Sequence, residues 1–437
     1  MLLANTPAVP GLDPIGLPGH PLIFAGLLLL TQLLHLLFMN FVLGGNLIAV
    51  GLNIAGLCGH ANSAAMARVF YKMLPVAISM TITTGVAPLL FVQVLYGPYF
   101  YSSTVLMGFG WFSFFVAVLV GFYLVYWLLF KTGVSPALTP LSGQEALQAG
   151  TARPVLRLVL SLLVTACLLW VGWVMANNHE LSLRPTLWRA PGQTGSRWYI
   201  PATATLPRYL HDVVGATAIA GLWLAAVGWW RTRRARTAGV SAGVTISESR
   251  ESSSAEASVS SSLIRLGLAV ALLATLAQIG TGILLLLKLH PAVRSSLLAF
   301  NSFTGGVWML SLLLIPVLFT LLAYASIRPR TFRWYALTVV VTLLLVVGML
   351  FGREHVRLAH LGLPEAGAFS LGRWDVYPQY VSLAVFAVLL VAGLATVALM
   401  LKWILQGVQP AADHEELSPP EPSLAGQPPV HAGAGQN

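Results

Sequence analysis

The sequence predicts an all-α membrane protein with about nine transmembrane helices. Hydrophobic residues make up 57% of its 437 residues, charged residues make up 9%, and the mean hydropathy is +0.79. A soluble domain of this length needs far more charge to cover its surface. Apolar stretches of about 20 residues cross a membrane as helices, because a helix satisfies its own backbone hydrogen bonds. The composition therefore excludes a soluble enzyme and indicates a helical bundle in lipid.

The apolar stretches follow one another along most of the chain. They predict spans at residues 22–50, 73–96, 104–130, 155–177, 209–230, 262–288, 300–326, 332–352 and 380–405. The segment before the first span contains Asp13 and no Lys or Arg, so it lacks the basic region of a signal peptide. We therefore expect the first span to be retained as a transmembrane helix.

The net charge of +10 is explained by membrane topology. If the N-terminus lies outside, 15 of the 24 Lys and Arg residues fall on inner segments, and such an excess marks the cytoplasmic side. The sequence therefore predicts an outer N-terminus and a cytoplasmic C-terminus. Because this orientation in the lipid bilayer accounts for the positive charge, no nucleic-acid partner is expected.

Two segments have the composition of unstructured chain. Residues 237–261 are rich in Ser, Ala and Gly, which predicts a flexible cytoplasmic loop. Residues 407–437 combine Pro, Gly, Ala and Glu, which predicts a disordered tail after one helical domain over residues 1–406. Cys58 and Cys167 form no CxxC or CxxCH motif, so covalent c-type haem attachment, a disulfide framework and an iron–sulfur centre are not expected.

Polar side chains inside apolar spans are informative, because each of them needs a partner or a function. Among the ten histidines, His35 and His211 fall inside spans, whereas His355 and His360 are predicted on an outer loop. Gly215 lies one turn after His211 on the same helix face. A missing side chain there would make room for a porphyrin ring bound to the imidazole. Alternatively, Gly215 serves helix packing, and both histidines bond to neighbouring carbonyl groups.

Other polar and sulfur-containing residues permit two interpretations each. Met309 fits an apolar core, although thioether sulfur is also a usual axial partner of histidine on low-spin haem iron. Three acidic residues stand at the outer ends of spans: Glu180, Asp212 and Glu354. They could accept protons from a quinol, or form salt bridges at the rim with Arg208, Arg353 and Arg357. The same arginines could instead pair with haem propionates.

Several segments resemble subunit I of the cytochrome bd quinol oxidase family. TQLLHLLFMNFVLGG resembles its first helix, whose histidine binds a haem of the oxygen-reducing pair, and RYLHDVVGATAIAG resembles its fifth, whose histidine binds the low-spin haem b. ITTGVAPLLFVQ resembles the second helix and the glycine-containing turn after it. VGWVMANNHE, RLGLAVALLATLAQIGTG and FGREHVR resemble the end of the fourth helix, the sixth helix and the end of the eighth. The resemblance covers nearly all of the membrane part and agrees with nine helices and an outer N-terminus.

The resemblance implies roles for three of these residues. His211 would be one axial ligand of a low-spin haem b, with Met309 as the second, and His35 would bind a further haem. Quinol would be the substrate, and the location would be a bacterial inner membrane, which the chain crosses many times.

The sequence also departs from the family. The long outer loop between helices 6 and 7, which helps to bind quinol, is reduced here to a short segment around HPAVRSSLLAFN. The family's carboxylates in helices 2 and 3 are absent from VAPLLFVQ and MGFGWFSFF, and the haem-binding glutamate of helix 8 is replaced near Leu350. Glu354 lies one turn away from that place. These departures remove the expected proton route to an oxygen-reducing haem.

The sequence therefore favours a bd-like membrane cytochrome b that oxidises quinol near the outer face. Its electrons would pass to a periplasmic c-type cytochrome or to another subunit of a respiratory complex. One alternative is subunit I of a quinol:oxygen oxidoreductase with rearranged acids. Another is a haem-free membrane scaffold or transporter with structural histidines.

Overall fold

The computed structural model describes residues 9–132, 154–188, 204–241, 248–328 and 332–406. Eleven α-helices make up most of this part of the chain: α1 (Pro21–Leu57), α2 (Ala61–Leu106), α3 (Gly108–Thr132), α4 (Pro154–Leu183), α5 (Thr205–Ser241), α6 (Glu248–Lys288), α7 (Pro291–Leu298), α8 (Phe303–Leu312), α9 (Leu314–Ile327), α10 (Phe332–Leu361) and α11 (Tyr380–Gln406). Residues up to Leu389 form one unit. A second unit starts at Leu390 and is helical as far as Gln406.

Within the described ranges, nine segments are long and apolar enough to cross a membrane, which confirms the predicted all-α membrane fold. Helices α8 and α9 together form one of these segments, with a break at Leu313. Pro316 explains the break, because its ring nitrogen cannot donate the hydrogen bond that a continuous helix requires. Leu313 N donates to Leu310 O at 3.2 Å instead, which tightens the turn.

Helix α2 is also interrupted locally. It contains three prolines, and its backbone leaves the helical region at Tyr96 (φ −126°, ψ 26°), two residues before Pro98. Residues 82–93, for which the resemblance predicted a turn, lie inside this helix. The kink matters for the site, because the ring of Tyr96 is buried in the bundle.

One predicted loop is partly helical. Residues 237–241 end α5, residues 248–261 begin α6, and residues 242–247 lie outside the described ranges, as does the predicted tail 407–437. The flexible-loop prediction is therefore wrong over these helical residues. Ser, Ala and Glu extend a helix readily once an adjoining apolar segment has nucleated it. The Asn62 side chain also donates to Ser258 Oγ at 3.0 Å, which connects α2 with this part of α6.

Small residues let the helices that carry His35 and His211 pack closely together. Helix α1, which carries His35, packs on α2 and on α5, which carries His211. A methyl group on Gly44 of α1 would lie 2.7 Å from the Thr217 Cα of α5. Helices α5 and α6 approach equally closely, because a methyl group on Gly221 would lie 2.6 Å from the Gly267 carbonyl oxygen. Such contacts are typical of helix packing in membranes.

We expect Gly44→Ala to lower the free energy of unfolding by about 1–3 kcal/mol, because the backbone of α5 cannot turn aside as a side chain can. Gly51→Ala on the same helix is the matched control, since a methyl group there meets nothing within 4 Å. The control should be neutral or slightly stabilising, because alanine favours helix. Thermal unfolding in detergent measures both variants, and equal stability of the two would contradict the packing described here.

Candidate functional site

His35 is half-buried on α1 and faces α2. Its Nδ1 lies 3.0 Å from the Thr81 carbonyl oxygen, and a methyl group on Gly85 would lie 2.8 Å from its Cε1. A carbonyl oxygen only accepts hydrogen bonds, so Nδ1 carries the proton and Nε2 keeps its lone pair. Metal-binding histidines usually have this arrangement, with the second nitrogen bonded to a carbonyl group or carboxylate. The geometry therefore suits a ligand role, although it also agrees with the structural alternative of a carbonyl-bonded histidine.

His211 is half-buried on α5, and α6 supplies partners for both of its ring nitrogens. Its Nδ1 lies 3.1 Å from Thr281 Oγ1, and its Nε2 lies 3.0 Å from Gln278 Nε2. The space beside Gly215 holds the Gln278 amide, because a methyl group on Gly215 would lie 2.8 Å from Gln278 Nε2. The missing side chain at Gly215 thus leaves room beside His211, and in this structure Gln278 of α6 occupies that room.

A cluster of charged side chains lies where α4 and α10 end and α5 begins, and we call it the outer cluster. Its members are Tyr96, His179, Glu180, Arg184, Arg208, Asp212, Arg353, Glu354, Arg357 and His360. The charge distribution predicts this end of the bundle to be outside. The three acids and three arginines singled out in the sequence therefore come together in the fold.

Glu180 is the most buried acid of the outer cluster. Its side chain is 1% exposed, and it accepts a hydrogen bond from Arg208 Nε at 2.9 Å, which connects α4 with α5. Arg184 Nε, one turn along α4, lies 3.5 Å from its second oxygen. Two arginines therefore share this buried carboxylate, and a buried ion pair depends on such partners for its stability.

Glu354 is held in a similar way. It accepts hydrogen bonds from Arg357 Nη1 at 2.8 Å and from the Tyr96 hydroxyl. The Arg357 guanidinium also lies 4.8 Å from the centre of the Tyr96 ring, which adds a cation–π contact. Asp212 differs from both glutamates, because its side chain is exposed. The rim salt bridges considered from the sequence therefore form at two of the three acids.

An arginine of the outer cluster lies near each of the two histidines His35 and His211. Arg353 interacts with His35 and with Asp212, and Arg208 interacts with His211. Two buried donor atoms, Arg208 Nη2 and Arg353 Nε, have no hydrogen-bond partner among the described residues. Buried, unused guanidinium donors fit an anionic group such as a carboxylate.

Two histidines of α10 were not expected inside the bundle. Sequence analysis predicted His355 and His360 on an outer loop, but both are buried within α10, so that prediction is wrong. The helix continues beyond residue 352 because Glu354, Arg357 and Leu361 keep the helical spacing of its buried face. His360 Nδ1 donates to the Val356 carbonyl oxygen at 2.9 Å. Its Nε2, like that of His179, is buried without a hydrogen-bond partner among the described residues.

His355 has a different role. Its Nδ1 lies 2.9 Å from Ser302 Oγ and its Nε2 lies 3.1 Å from Ser296 Oγ. It therefore ties α7 and the start of α8 to α10. The short segment HPAVRSSLLAFN, in place of the family's long outer loop, forms α7 and is anchored by these bonds.

Met309 lies apart from His211. It is half-buried on α8, and this helix packs mainly against α10. In the described part of the chain, α8 and α5 are not among the helices that pack closely together. A shared ligand role for Met309 and His211 therefore stays a prediction from the resemblance.

The side chains of the site are compatible with haem. No group of three or more His, Cys, Asp or Glu in the described part of the chain is arranged to hold a bare metal ion. Haem needs fewer protein ligands, because its porphyrin supplies the equatorial nitrogens and the protein supplies axial ligands. His35 offers a lone pair at Nε2, and the buried arginine donors fit the propionates. His211 fits only if its Nε2 exchanges its present partner.

Comparisons with known proteins agree with this fold. No family model matches the sequence, and no curated protein matches it. The structure is similar to "The structure of bd oxidase from Geobacillus thermodenitrificans", with a TM-score of 0.62, 12% sequence identity, and coverage of 88% of this chain and 98% of that one. A likeness at this identity concerns the fold. The bd-oxidase-like fold that the resemblance predicted is therefore confirmed, and the assignment to subunit I stays a prediction.

Proposed function

We propose that this chain is a haem b-containing electron-transfer subunit of a respiratory complex in a bacterial inner membrane. The observation that carries the proposal is the arginine-rich outer cluster, which lies near His35 and His211 and has buried guanidinium donors without a hydrogen-bond partner among the described residues. An apolar bundle tolerates such positive charge only where an anion compensates it. Haem propionates are carboxylates, and carboxylates bind guanidinium groups well.

Each residue has a defined task in this proposal. His35 and His211 would bind haem iron, with Met309 as the expected second ligand beside His211. Arg208, Arg353 and Arg357 hold the propionates and stabilise their charge. When bound, haem supplies one-electron chemistry, and the protein sets its potential through axial ligands, burial and nearby charge.

The substrate in this proposal is a quinol that reaches the outer face. The three acids of the outer cluster differ in how readily they could accept its protons. Glu180 and Glu354 have their oxygens engaged by arginines and by Tyr96. Asp212 is exposed and adjoins His211, so it is the best placed proton acceptor. The electrons would leave to a periplasmic c-type cytochrome or to another subunit of the complex.

The proposal is tested by haem content and by reduced-minus-oxidised absorption spectra of the purified protein. We expect haem b in the wild type, loss of the low-spin signal in His211→Ala, and loss of a different component in His35→Ala. His60→Ala is the control, because His60 is exposed at the start of α2 and should leave the spectrum unchanged.

Two other outcomes would replace the proposal. Purified protein without haem absorbance would favour a scaffold or transporter. Oxygen consumption with reduced quinol, abolished by His35→Ala, would favour the second candidate, a quinol:oxygen oxidoreductase. The bd-oxidase-like fold favours this candidate, whereas the buried, apolar Leu350 near the family's glutamate position argues against it.

A further inference from the structure

We infer that Thr281 is a positioning residue for His211, which accepts a hydrogen bond from Nδ1 and so holds the imidazole as the tautomer with its lone pair on Nε2. This inference rests on the proposed function, in which His211 binds haem. The tautomer of His211, however, can be measured in protein without bound haem.

The contact between α5 and α6 is shaped for this arrangement. Gly215 lies beside the Gln278 amide, and a methyl group on Gly282 would lie 3.2 Å from His211 Cε1. Both helices therefore lack a side chain next to the imidazole. This lets α6 bring Thr281 to within 3.1 Å of Nδ1 and Gln278 to within 3.0 Å of Nε2.

The direction of the hydrogen bonds follows from the chemistry of the partners. The Thr281 hydroxyl has one proton, and it donates that proton to the Gln278 backbone carbonyl oxygen at 3.2 Å, which can only accept. Thr281 Oγ1 is then left with lone pairs, so it must accept from Nδ1–H of His211. An uncharged imidazole with its proton on Nδ1 has its lone pair on Nε2. The Gln278 amide accordingly faces that lone pair with its NH₂ group.

This arrangement has two consequences for ligand binding. A hydrogen bond from Nδ1–H to an oxygen orients a ligating histidine and raises its basicity. Gln278, in contrast, competes for Nε2, because its NH₂ group lies 3.0 Å from that nitrogen. Thr281 therefore prepares the nitrogen that the proposed function requires, while Gln278 occupies it in this structure.

The test compares Thr281→Val, which removes the hydroxyl at nearly constant volume, with Thr281→Ser, which restores it. Thr275→Val on the same helix is the matched control, because Thr275 Oγ1 donates to the Ala271 carbonyl oxygen within α6. Nitrogen NMR of histidine-labelled protein freed of haem reports the tautomer of each imidazole, with His211→Ala to assign the signal. Haem titration and redox potentiometry report the effect on the bound state.

We expect Thr281→Val to lose the pure Nδ1–H tautomer of His211, to weaken haem binding by about 10–100-fold, and to raise the midpoint potential, because a less basic imidazole stabilises ferric iron less. Thr281→Ser should restore all three properties, and Thr275→Val should change none. An unaltered tautomer in Thr281→Val would overturn the inference, whether or not the protein binds haem. If the wild type binds no haem yet shows the tautomer change, the proposed function fails and the positioning role stands.

Discussion

Glu180→Leu is expected to destabilise the bundle by about 3–5 kcal/mol, because it leaves Arg208 buried without its partner. The side chains of Glu180 and Arg208 are 1% and 8% exposed, and their contact joins α4 to α5 at 2.9 Å. Removing one member of such a pair leaves an uncompensated charge in an apolar environment, and this desolvation penalty is the main source of the loss. The desolvation penalty at Arg184 is smaller, because its side chain is partly exposed.

The double variant Glu180→Leu with Arg208→Leu separates this penalty from a simple loss of contact. Two apolar side chains in place of a buried ion pair are often tolerated, so the double variant should be more stable than Glu180→Leu alone. Unfolding in detergent of the protein freed of haem measures the difference without a contribution from ligand binding. If the double variant is the less stable of the two, the attraction within the pair matters more than desolvation.

Gly85→Ala is expected to remove the same spectral component as His35→Ala. The added methyl group would lie 2.8 Å from His35 Cε1 and 3.0 Å from Nδ1. No imidazole tolerates this distance, so the ring must turn away and lose its hydrogen bond to the Thr81 carbonyl oxygen. In the proposed function His35 binds haem iron, and a ring displaced in this way would no longer present Nε2 in its former direction. The expected effect is loss of the cofactor from one site while the bundle stays folded.

Gly97→Ala on the same helix is the control for Gly85→Ala. A methyl group on Gly97 would lie 3.6 Å from the Tyr101 ring, which is an ordinary contact. Haem content, reduced-minus-oxidised spectra and thermal unfolding should all be close to the wild-type values for this variant. A Gly85→Ala protein with the full spectrum and an unchanged midpoint potential would show that His35 is not a ligand in the orientation described.

Hydropathy determined most of the fold, because the tendency of a segment to enter lipid depends on its own residues. All nine spans were predicted in this way, and His35 and His211 were correctly placed inside two of them. The positions at which helices begin and end were harder to predict from the sequence. α10 reaches Leu361, and polar side chains in its last part contact another helix, as Glu354 contacts Tyr96; α6 begins at Glu248. A local composition does not reveal such contacts.

Composition and residue spacing were enough to predict the spans, the helices that carry His35 and His211, and the position of Gly215 one turn after His211. The packing between helices determines which side chains contact the two histidines: Thr81 and Gly85 at His35, and Gln278 and Thr281 at His211. The same holds for the pairing of Glu180 with Arg208 and for the place of His360. The physical reason is that burial in lipid depends on each segment separately, whereas hydrogen bonds and ion pairs between helices depend on how residues far apart in the chain are packed together.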